Sequence, residues 1–147
     1  MYIELHSQSA FSFLEGASVP EEMAAVCQEH GMGAMALVDR DGVYGAPRFH
    51  YAMKKAGAKA HIGSEITLHR VIGPSGHRVN RKAMRCDGND PMTRSPDEPI
   101  ARLPLLVASR TGYKNLCHLV TRMKSRGPKD ASPEVIAANE NDIAQFA

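Results

Sequence analysis

The sequence predicts an α/β protein in which parallel strands alternate with helices, as in a parallel sheet or barrel. Three observations support this fold class. Short apolar runs, typical of strands, alternate along residues 1–69 with stretches whose apolar residues recur at helical spacing. Short polar loops connect these stretches. A chain of 147 residues with 43% hydrophobic residues is also long enough to bury the core that such a domain needs.

The first predicted strand runs through Tyr2, Ile3 and Leu5 and ends at His6, where a polar loop begins. In parallel α/β folds, the carboxyl ends of the strands form the edge that binds ligands. His6 is therefore expected at the mouth of a metal or catalytic site. Two later predicted strands also end in acidic residues, at Asp39 and Glu65.

The first helix and the second strand follow from local signals. Ser18 is the predicted N-cap, Pro20 lies in the first turn, and Glu21 closes a capping box. Gly31 provides a left-handed end to the helix. The apolar run 34–38 then predicts a buried parallel strand, so this stretch forms a strand–helix–strand unit.

A second unit of the same kind comes next along the chain. After a loop over 40–45, a helix with one apolar stripe is predicted to stop at Gly57. A strand then runs from Ala60 through Glu65 to Thr67. Repeated strand–helix units joined by short loops favour a parallel sheet or barrel.

The regular alternation stops at residues 70–102, where Gly, Pro, Asn and Asp are scattered without any period. This stretch is too long for an ordinary connection and is predicted to be an irregular insertion, the least ordered part of the chain. A strand is predicted over 103–108, followed by a helix capped by Thr111. A last helical piece over 133–146 has Ser132 as its cap. The whole chain is expected to be one domain.

Cysteine content and hydropathy exclude several classes of protein. The three cysteines are far apart and include no Cys-x-x-Cys pair, so neither a disulfide framework nor a structural zinc knuckle is expected. No leader of basic and then apolar residues is visible, and no apolar run approaches about 18 residues, so a cytoplasmic protein is expected, without a membrane partner. Acidic residues outnumber basic ones in 1–69, whereas basic residues are in excess in 70–102 and 103–147. The acidic part suits divalent cations and the basic part suits phosphate.

The candidate site residues follow three successive predicted strands: His6, Asp39, Asp41 and Glu65. Their side chains are expected to converge on one rim, with Glu15 folding in from the first loop. Imidazole and carboxylate ligands favour zinc, manganese or iron. In the alternative interpretation there is no site: the histidine ends a strand, the aspartates make turn hydrogen bonds, and Glu65 is paired on the surface.

A run of basic residues without any acidic residue between them extends over 110–129. Two interpretations stay open. The run forms a phosphate-facing surface that lies along DNA, or it forms the solvated face of a helix. Base stacking is not supported, because Tyr113 is the nearby aromatic residue and its spacing places it on the apolar stripe.

Four blocks stand in order along the chain: ELHSQSAFSFLEGAS, ALVDRDGVYGAPRF, IGSEIT and LPLLVASRTGYKNLCHLVTRMK. Together they resemble the PHP (polymerase and histidinol phosphatase) domain that opens bacterial replicative DNA polymerase alpha subunits, and they are most similar to the error-prone branch. The resemblance implies the N-terminal half of a distorted, seven-stranded, TIM-like β/α barrel with a di- or trinuclear metal centre. Some relatives hydrolyse phosphate esters or trim DNA 3′ ends at that centre.

The resemblance also implies a set of ligands for zinc or manganese: His6, Glu15, Asp39 and Glu65. Two expected histidines are missing, because Gln8 stands in the family's His-x-His and Arg40 in its Asp-His-Asp. An amide is a poor zinc ligand, and a guanidinium group is permanently charged. A degenerate metal site is therefore expected. In the alternative, Arg40 replaces one metal ion by pairing with Asp39, Asp41 or Glu65.

Function and partners are likewise implied by the resemblance. The chain would be the PHP part of an error-prone DNA polymerase III alpha subunit, non-catalytic by itself, in replication and translesion repair. The alternative is a metal-dependent phosphoesterase or 3′–5′ exonuclease. Because the family's later strands are missing, the chain is expected to stop halfway round the barrel and to expose an edge. The expected partners are the remaining polymerase domains, DNA in that context, and a second copy at the open edge.

Overall fold

A computed structural model describes residues 2–68, 101–128 and 136–146. The elements in this part of the chain are β1 (Glu4–Ser7), α1 (Pro20–Glu29), β2 (Ala34–Arg40), α2 (Ala46–Lys55), β3 (Lys59–Leu68), β4 (Ala101–Leu106), α3 (Arg110–Lys124) and α4 (Glu140–Phe146). The four strands form one sheet in the order β1-β2-β3-β4. The mixed α/β class is confirmed, and the sheet with its helices is consistent with part of a TIM-like barrel.

Strand direction agrees with the sequence for three of the four strands. β1, β2 and β3 pair in parallel, but β4 is antiparallel to β3, so the expectation of a wholly parallel sheet is wrong for β4. A parallel pair needs a crossover connection, usually a helix, and the sequence between β3 and β4 has no helical period. β4 also begins at Ala101, so Arg102 belongs to a strand and not to the predicted insertion. The predicted disorder of that insertion falls on residues outside those described.

The helices pack against one face of the sheet. Leu37 of β2 lies in a core cluster with Phe49 and Met53 of α2. Its register partner on β3 is Ile62, and Ile66, four residues further on, lies in a second core cluster with residues of α3. Because residues an even number apart share a face of a strand, all of these positions lie on the helix-covered face. None of the described helices is long and apolar enough to cross a membrane.

The start of α1 lies one residue later than predicted. Pro20 is the first helical residue, so Val19, and not Ser18, is the N-cap. The Val19 N–H donates to the carboxylate of Glu22 at 3.3 Å, where the sequence predicts this role for Glu21. The fixed φ of proline suits the first helical position, and this preference determines where the helix begins.

The start of α3 also differs from its prediction, whereas two helix ends match theirs. Ser109 is the N-cap, and its Oγ accepts from the Gly112 N–H at 3.1 Å, so Thr111 already lies inside the first turn. Gly31 and Gly57 follow α1 and α2 with φ of +61° and +75°, the left-handed conformation that glycine adopts without strain.

The last helix is shorter than the predicted 133–146. Ala138 is not helical and forms a parallel bridge with β3. Asn139 and Asp142 cap α4 reciprocally: the Asn139 N–H donates to the Asp142 carboxylate at 2.8 Å, and the Asp142 N–H donates to the Asn139 side-chain oxygen at 3.0 Å. The predicted cap, Ser132, lies outside the described residues.

Candidate functional site at the carboxyl ends of the strands

His6 and Glu65 meet at the carboxyl ends of β1 and β3. Nε2 of His6 lies 3.0 Å from Oε1 of Glu65, and the side-chain amide of Gln8 donates to Oε2 at 2.8 Å. The Glu65 side chain is only 8% exposed, whereas that of His6 is 54% exposed. The structure thus brings these two predicted site residues together, with the imidazole open to solvent.

Glu15 joins this pair through two arginines. Its Oε1 accepts from Nη1 of Arg40 at 2.5 Å and from Nη2 of Arg102 at 2.8 Å. The other terminal nitrogen of Arg102, Nη1, lies 3.6 Å from Oε2 of Glu65. One guanidinium group therefore bridges two carboxylates. The four residues Glu15, Glu65, Arg40 and Arg102 are called the rim cluster below.

Asp39 lies outside the rim cluster. In the β2–β3 register, Asp39 pairs with Ser64 and Arg40 pairs with Glu65, so Asp39 and Glu65 project to opposite faces of the sheet. The Asp39 carboxylate lies at the start of α2, where a Cβ on Gly45 would be only 2.7 Å from Oδ2. The expectation that Asp39 and Glu65 converge is therefore wrong, because alternation along β2 turns Arg40 toward the cluster instead.

The first loop supplies the partners of Asp39. Oδ1 accepts from the Ser9 N–H at 2.8 Å and from the Ser12 hydroxyl at 2.9 Å, and Oγ of Ser9 lies 2.9 Å from both carboxylate oxygens. All three side chains are buried. Since these donors occupy the oxygens that a cation would need, the carboxylate holds the loop in place against β2.

Asp41 is likewise bound by the protein. It adopts a left-handed backbone conformation, with φ of +46°. Its Oδ1 accepts from the Thr67 N–H at 2.8 Å, and its Oδ2 accepts from the Thr67 hydroxyl at 2.7 Å. The Asp41 N–H donates to the carbonyl of Glu65 at 2.9 Å. Asp41 therefore fastens the β2–α2 loop to the end of β3.

Arg40 pairs mainly with a residue that the sequence does not single out for it. Its shortest contact is the 2.5 Å hydrogen bond to Glu15, and its Nε lies 3.8 Å from Oδ2 of Asp41. Arg102 is absent from the predicted site, because the predicted strand begins only at Leu103. The period-two alternation of ARLPLL begins before that leucine and is the signal that indicates a longer strand.

The donor set does not fit a divalent ion. Within residues 2–68, 101–128 and 136–146, no group of three or more His, Cys, Asp or Glu side chains is arranged to hold a metal. Glu15 and Glu65 are paired with guanidinium groups, and Asp39 and Asp41 are bound by hydroxyl and N–H donors. A zinc or manganese ion would have to displace these partners before it met three protein ligands.

Several basic side chains of the 110–129 run bind other parts of the protein. Nε of Arg122 lies 3.2 Å from Oδ1 of Asp142, and Arg126 pairs with the same carboxylate. The ammonium group of Lys124 donates to the Tyr44 hydroxyl at 2.6 Å and lies 4.7 Å from the centre of its ring. These contacts favour the helix-face interpretation over a phosphate-binding surface.

Three parallel strands, helices on one face of the sheet, and a polar cluster at the carboxyl ends of β1 to β3 are consistent with an α/β domain of the barrel-like class. The family model of the PHP domain matches residues 4–145. The chain therefore belongs to the PHP domain family, and the resemblance found in its sequence blocks is confirmed.

The similar proteins include error-prone DNA polymerases. That of Ralstonia nicotianae is 38% identical over 128 residues, which is 87% of this chain and 10% of the polymerase. That of Anaeromyxobacter sp. strain K is 38% identical over 121 residues, 82% of this chain and 9% of the polymerase. That of Mycolicibacterium paratuberculosis is 35% identical over 132 residues, 90% of this chain and 10% of the polymerase. Across such relatives, the chain spans 8–12% of their length.

Proposed function

We propose that this chain is a non-catalytic PHP module that acts as a structural part of an error-prone DNA polymerase, in replication and translesion repair. The observation that supports this proposal is that the carboxylates of the predicted metal site bind protein donors. The similarity to polymerases supports the biological setting, since the chain is 33–38% identical to proteins of that name.

The energy needed to free the aspartates argues against catalysis. Each hydrogen bond to a charged group contributes about 1.5–3 kcal/mol, so displacing the three donors on Asp39 would cost about 5–9 kcal/mol. These donors also hold the first loop, so a metal ion would have to rearrange the fold before binding there.

Electrostatic repulsion argues in the same direction at the rim cluster. A dication within about 4 Å of a guanidinium group is repelled by several kcal/mol at the effective dielectric constant of a protein surface. Arg40 and Arg102 both contact the carboxylates that the metal would need. Because a guanidinium group does not lose its charge at any physiological pH, this repulsion is permanent.

The proposed partners are the remaining polymerase domains, with DNA bound in that context, in the cytoplasm. The exposed edge of the sheet supports a protein partner. β1 lies at one end of the strand order, and the exposed apolar side chains on or beside it are Tyr2, Ile3 and Leu5. An apolar edge strand of this kind pairs readily with another chain, including a second copy of the same one.

The alternative function is a metal-dependent phosphoesterase or 3′–5′ exonuclease. The contact between His6 and Glu65 supports it, because one imidazole and one carboxylate side by side provide two of the ligands that a zinc site requires. A third ligand from the described residues is still needed.

Hydrolysis assays on the purified chain separate the two functions. We expect no phosphate release from a generic phosphate ester and no shortening of 3′-labelled DNA with added zinc or manganese. The matched control is His6→Ala, since hydrolysis by a contaminating enzyme would persist unchanged in that variant. Hydrolysis that depends on both metal and His6 would contradict the proposal and establish the alternative.

A further inference from the structure

We propose that Arg102 and Arg40 are the built-in cations of this rim: they neutralise Glu15 and Glu65 in place of divalent ions, and removing Arg102 creates a cation-binding site. This inference rests on the proposed non-catalytic function and deepens it, since it names the groups that replace a metal. It also assigns a role to Arg102, which is not among the site residues predicted from the sequence.

The antiparallel pairing of β4 determines where Arg102 lies. Pro104 is opposite Glu65 and Arg102 is opposite Thr67, so Arg102 and Glu65 are diagonal neighbours on the same face of the sheet. A diagonal neighbour is within reach of a long side chain. The guanidinium group extends past Glu65, at 3.6 Å, and donates to Glu15 at 2.8 Å.

The four side chains of the rim cluster balance in charge, and the carboxylate of Asp41 lies beside the cluster, 3.8 Å from Nε of Arg40. Two carboxylates face two guanidinium groups, and every one of these side chains is at most 36% exposed. Partial burial reduces screening, so the attraction in this cluster exceeds that of a pair fully in solvent. A planar guanidinium fork can bind two carboxylates at once, whereas a lysine ammonium group is a single point charge.

Removing the charge of Arg102 would leave an excess of acid beside an imidazole. Glu65 would keep its contacts with His6 and Gln8, and Glu15 would keep Arg40 as its one guanidinium partner. Zinc binds to nitrogen and oxygen ligands, and a net negative charge at the site favours its binding. Arg40 alone would then repel a dication at the rim cluster, so the variant should bind zinc more tightly than the parent protein does.

The experiment is a set of thermal melts, each in excess EDTA and in excess zinc chloride. The proteins are the parent, Arg102→Ala, Arg102→Lys, and Arg48→Ala as the matched control. Arg48 makes an equally close pair with Glu21 between α2 and α1, but this pair is not part of the rim cluster and both of its side chains are about half exposed. Native mass spectrometry counts the zinc bound to each protein.

We expect the parent to melt at the same temperature in EDTA and in zinc. Arg102→Ala should melt about 5 °C lower in EDTA, since it loses a partly buried contact with two carboxylates. Zinc should recover most of that difference, with one ion bound. Arg102→Lys should fall between them without responding to zinc, because it keeps the charge but not the fork. Arg48→Ala should not respond to zinc.

Two results would overturn the inference: Arg102→Ala melting like the parent in EDTA, or Arg102→Ala binding no zinc while folded. If Arg102→Ala folded only with zinc, that result would support the inference. If it did not fold in either condition, Arg102→Lys would decide, and stabilisation of that variant by zinc would contradict the role of charge. Hydrolysis by the parent would instead contradict the proposed function, so the two failures are distinguishable.

Discussion

Gln8 and Arg40 occupy the two positions where the resemblance to the family leads us to expect histidines, and both side chains contact the rim carboxylates. Gln8 donates to Glu65, and Arg40 donates to Glu15. In each case a hydrogen-bond donor stands where a neutral nitrogen ligand would donate its lone pair to a metal ion. Both side chains therefore stabilise the rim carboxylates through hydrogen bonds within the protein.

Restoring both imidazoles is expected to produce zinc binding. Gln8→His adds a nitrogen donor beside His6, and Arg40→His adds another while removing a permanent positive charge. The double variant should bind zinc more tightly than either single variant, and the parent should bind weakest, as measured by calorimetric titration. The control is Gln8→Ala with Arg40→Ala, which removes the charge without adding ligands. Equal, undetectable binding by all the folded histidine variants would show that the rim is not the remnant of a metal site.

Gly45 is required by the buried carboxylate beside it. A Cβ at this position would lie 2.7 Å from Oδ2 of Asp39 and 3.0 Å from Oγ of Ser9. Gly45→Ala should therefore lower the free energy of unfolding by about 1–3 kcal/mol, as overpacking does in a closed site. Gly112→Ala is the matched control, because its Cβ would meet nothing closer than 3.7 Å. It should be neutral or stabilising by up to about 1 kcal/mol in urea denaturation. Equal effects of the two substitutions would contradict a tight fit around Asp39.

At the scale of elements, one buried aspartate links α4 to the end of α3. Asp142 caps the helix through Asn139 and pairs with Arg126 and Arg122 of the α3 region. The hydrogen bond from Arg126 is the main cause that lowers the pKa of Asp142 below its ordinary value of 3.8. The carboxylate thus joins the start of one helix to the end of another.

Asp142→Asn should lower the free energy of unfolding by about 2–4 kcal/mol at pH 7, since it leaves two arginines without their partner. Because the folded-state pKa is lowered, this stabilisation is fully present above pH 3.8 and is lost as the pH falls below it. The free energies of unfolding of the parent and the variant should therefore converge in acid, as measured by denaturation at several pH values.

Glu21→Gln is the control. Its pair with Arg48 is exposed, so it should cost less than about 1 kcal/mol. A difference between the parent and Asp142→Asn that did not shrink as the pH fell below 3.8 would contradict this assignment.

The elements that follow from the sequence are those with a clear period. β2, β3 and the helices α1 to α3 are predicted from apolar spacing, and Gly31 and Gly57 mark their ends correctly. Helix starts shift by one or two residues because several Ser, Thr and Pro residues compete for the cap. The direction of β4 is not predictable from its own residues, since an alternating pattern is the same for parallel and antiparallel pairing.

The sequence predicts only some residues of the site correctly, because its local patterns do not report pairing between strands. His6 and Glu65 are found because both end apolar strands of the same direction. The prediction places Asp39 on the wrong face, because acidic residues close together in the sequence can lie on either face of a strand. The register that pairs Asp39 with Ser64 determines its face. Arg102 is missed because its contact with Glu15 joins residues 87 positions apart, and no local pattern reports such a distance.

At the scale of the whole molecule, the open edge of the described sheet is the main unpartnered feature. Leu5 is half exposed on β1, and Tyr2 and Ile3 precede it. Neighbouring strands of this sheet are paired, so the free edge of β1 offers both backbone hydrogen bonds and apolar side chains to a partner. In a polymerase, we expect other domains to cover it.

The isolated chain should therefore self-associate through β1. Light scattering coupled to size-exclusion chromatography should show a mass that rises with concentration, and Leu5→Lys should shift the protein toward the monomer by about tenfold or more in dissociation constant. Tyr51→Lys is the control, because Tyr51 is also exposed and apolar but lies on α2. A monomer at every concentration, or equal effects of both variants, would contradict association at this edge.

Leu68, the last residue of β3, pairs with Ala101, the first residue of β4. The end of β3 and the start of β4 therefore lie directly opposite each other. By chain entropy alone, the free energy of closing the connection between them changes by only about 0.6 kcal/mol when its length is doubled or halved. The connection between β3 and β4 should therefore tolerate insertions and deletions at little cost in stability. A foreign sequence grafted there should leave β4 paired with β3 and Arg102 in the same position.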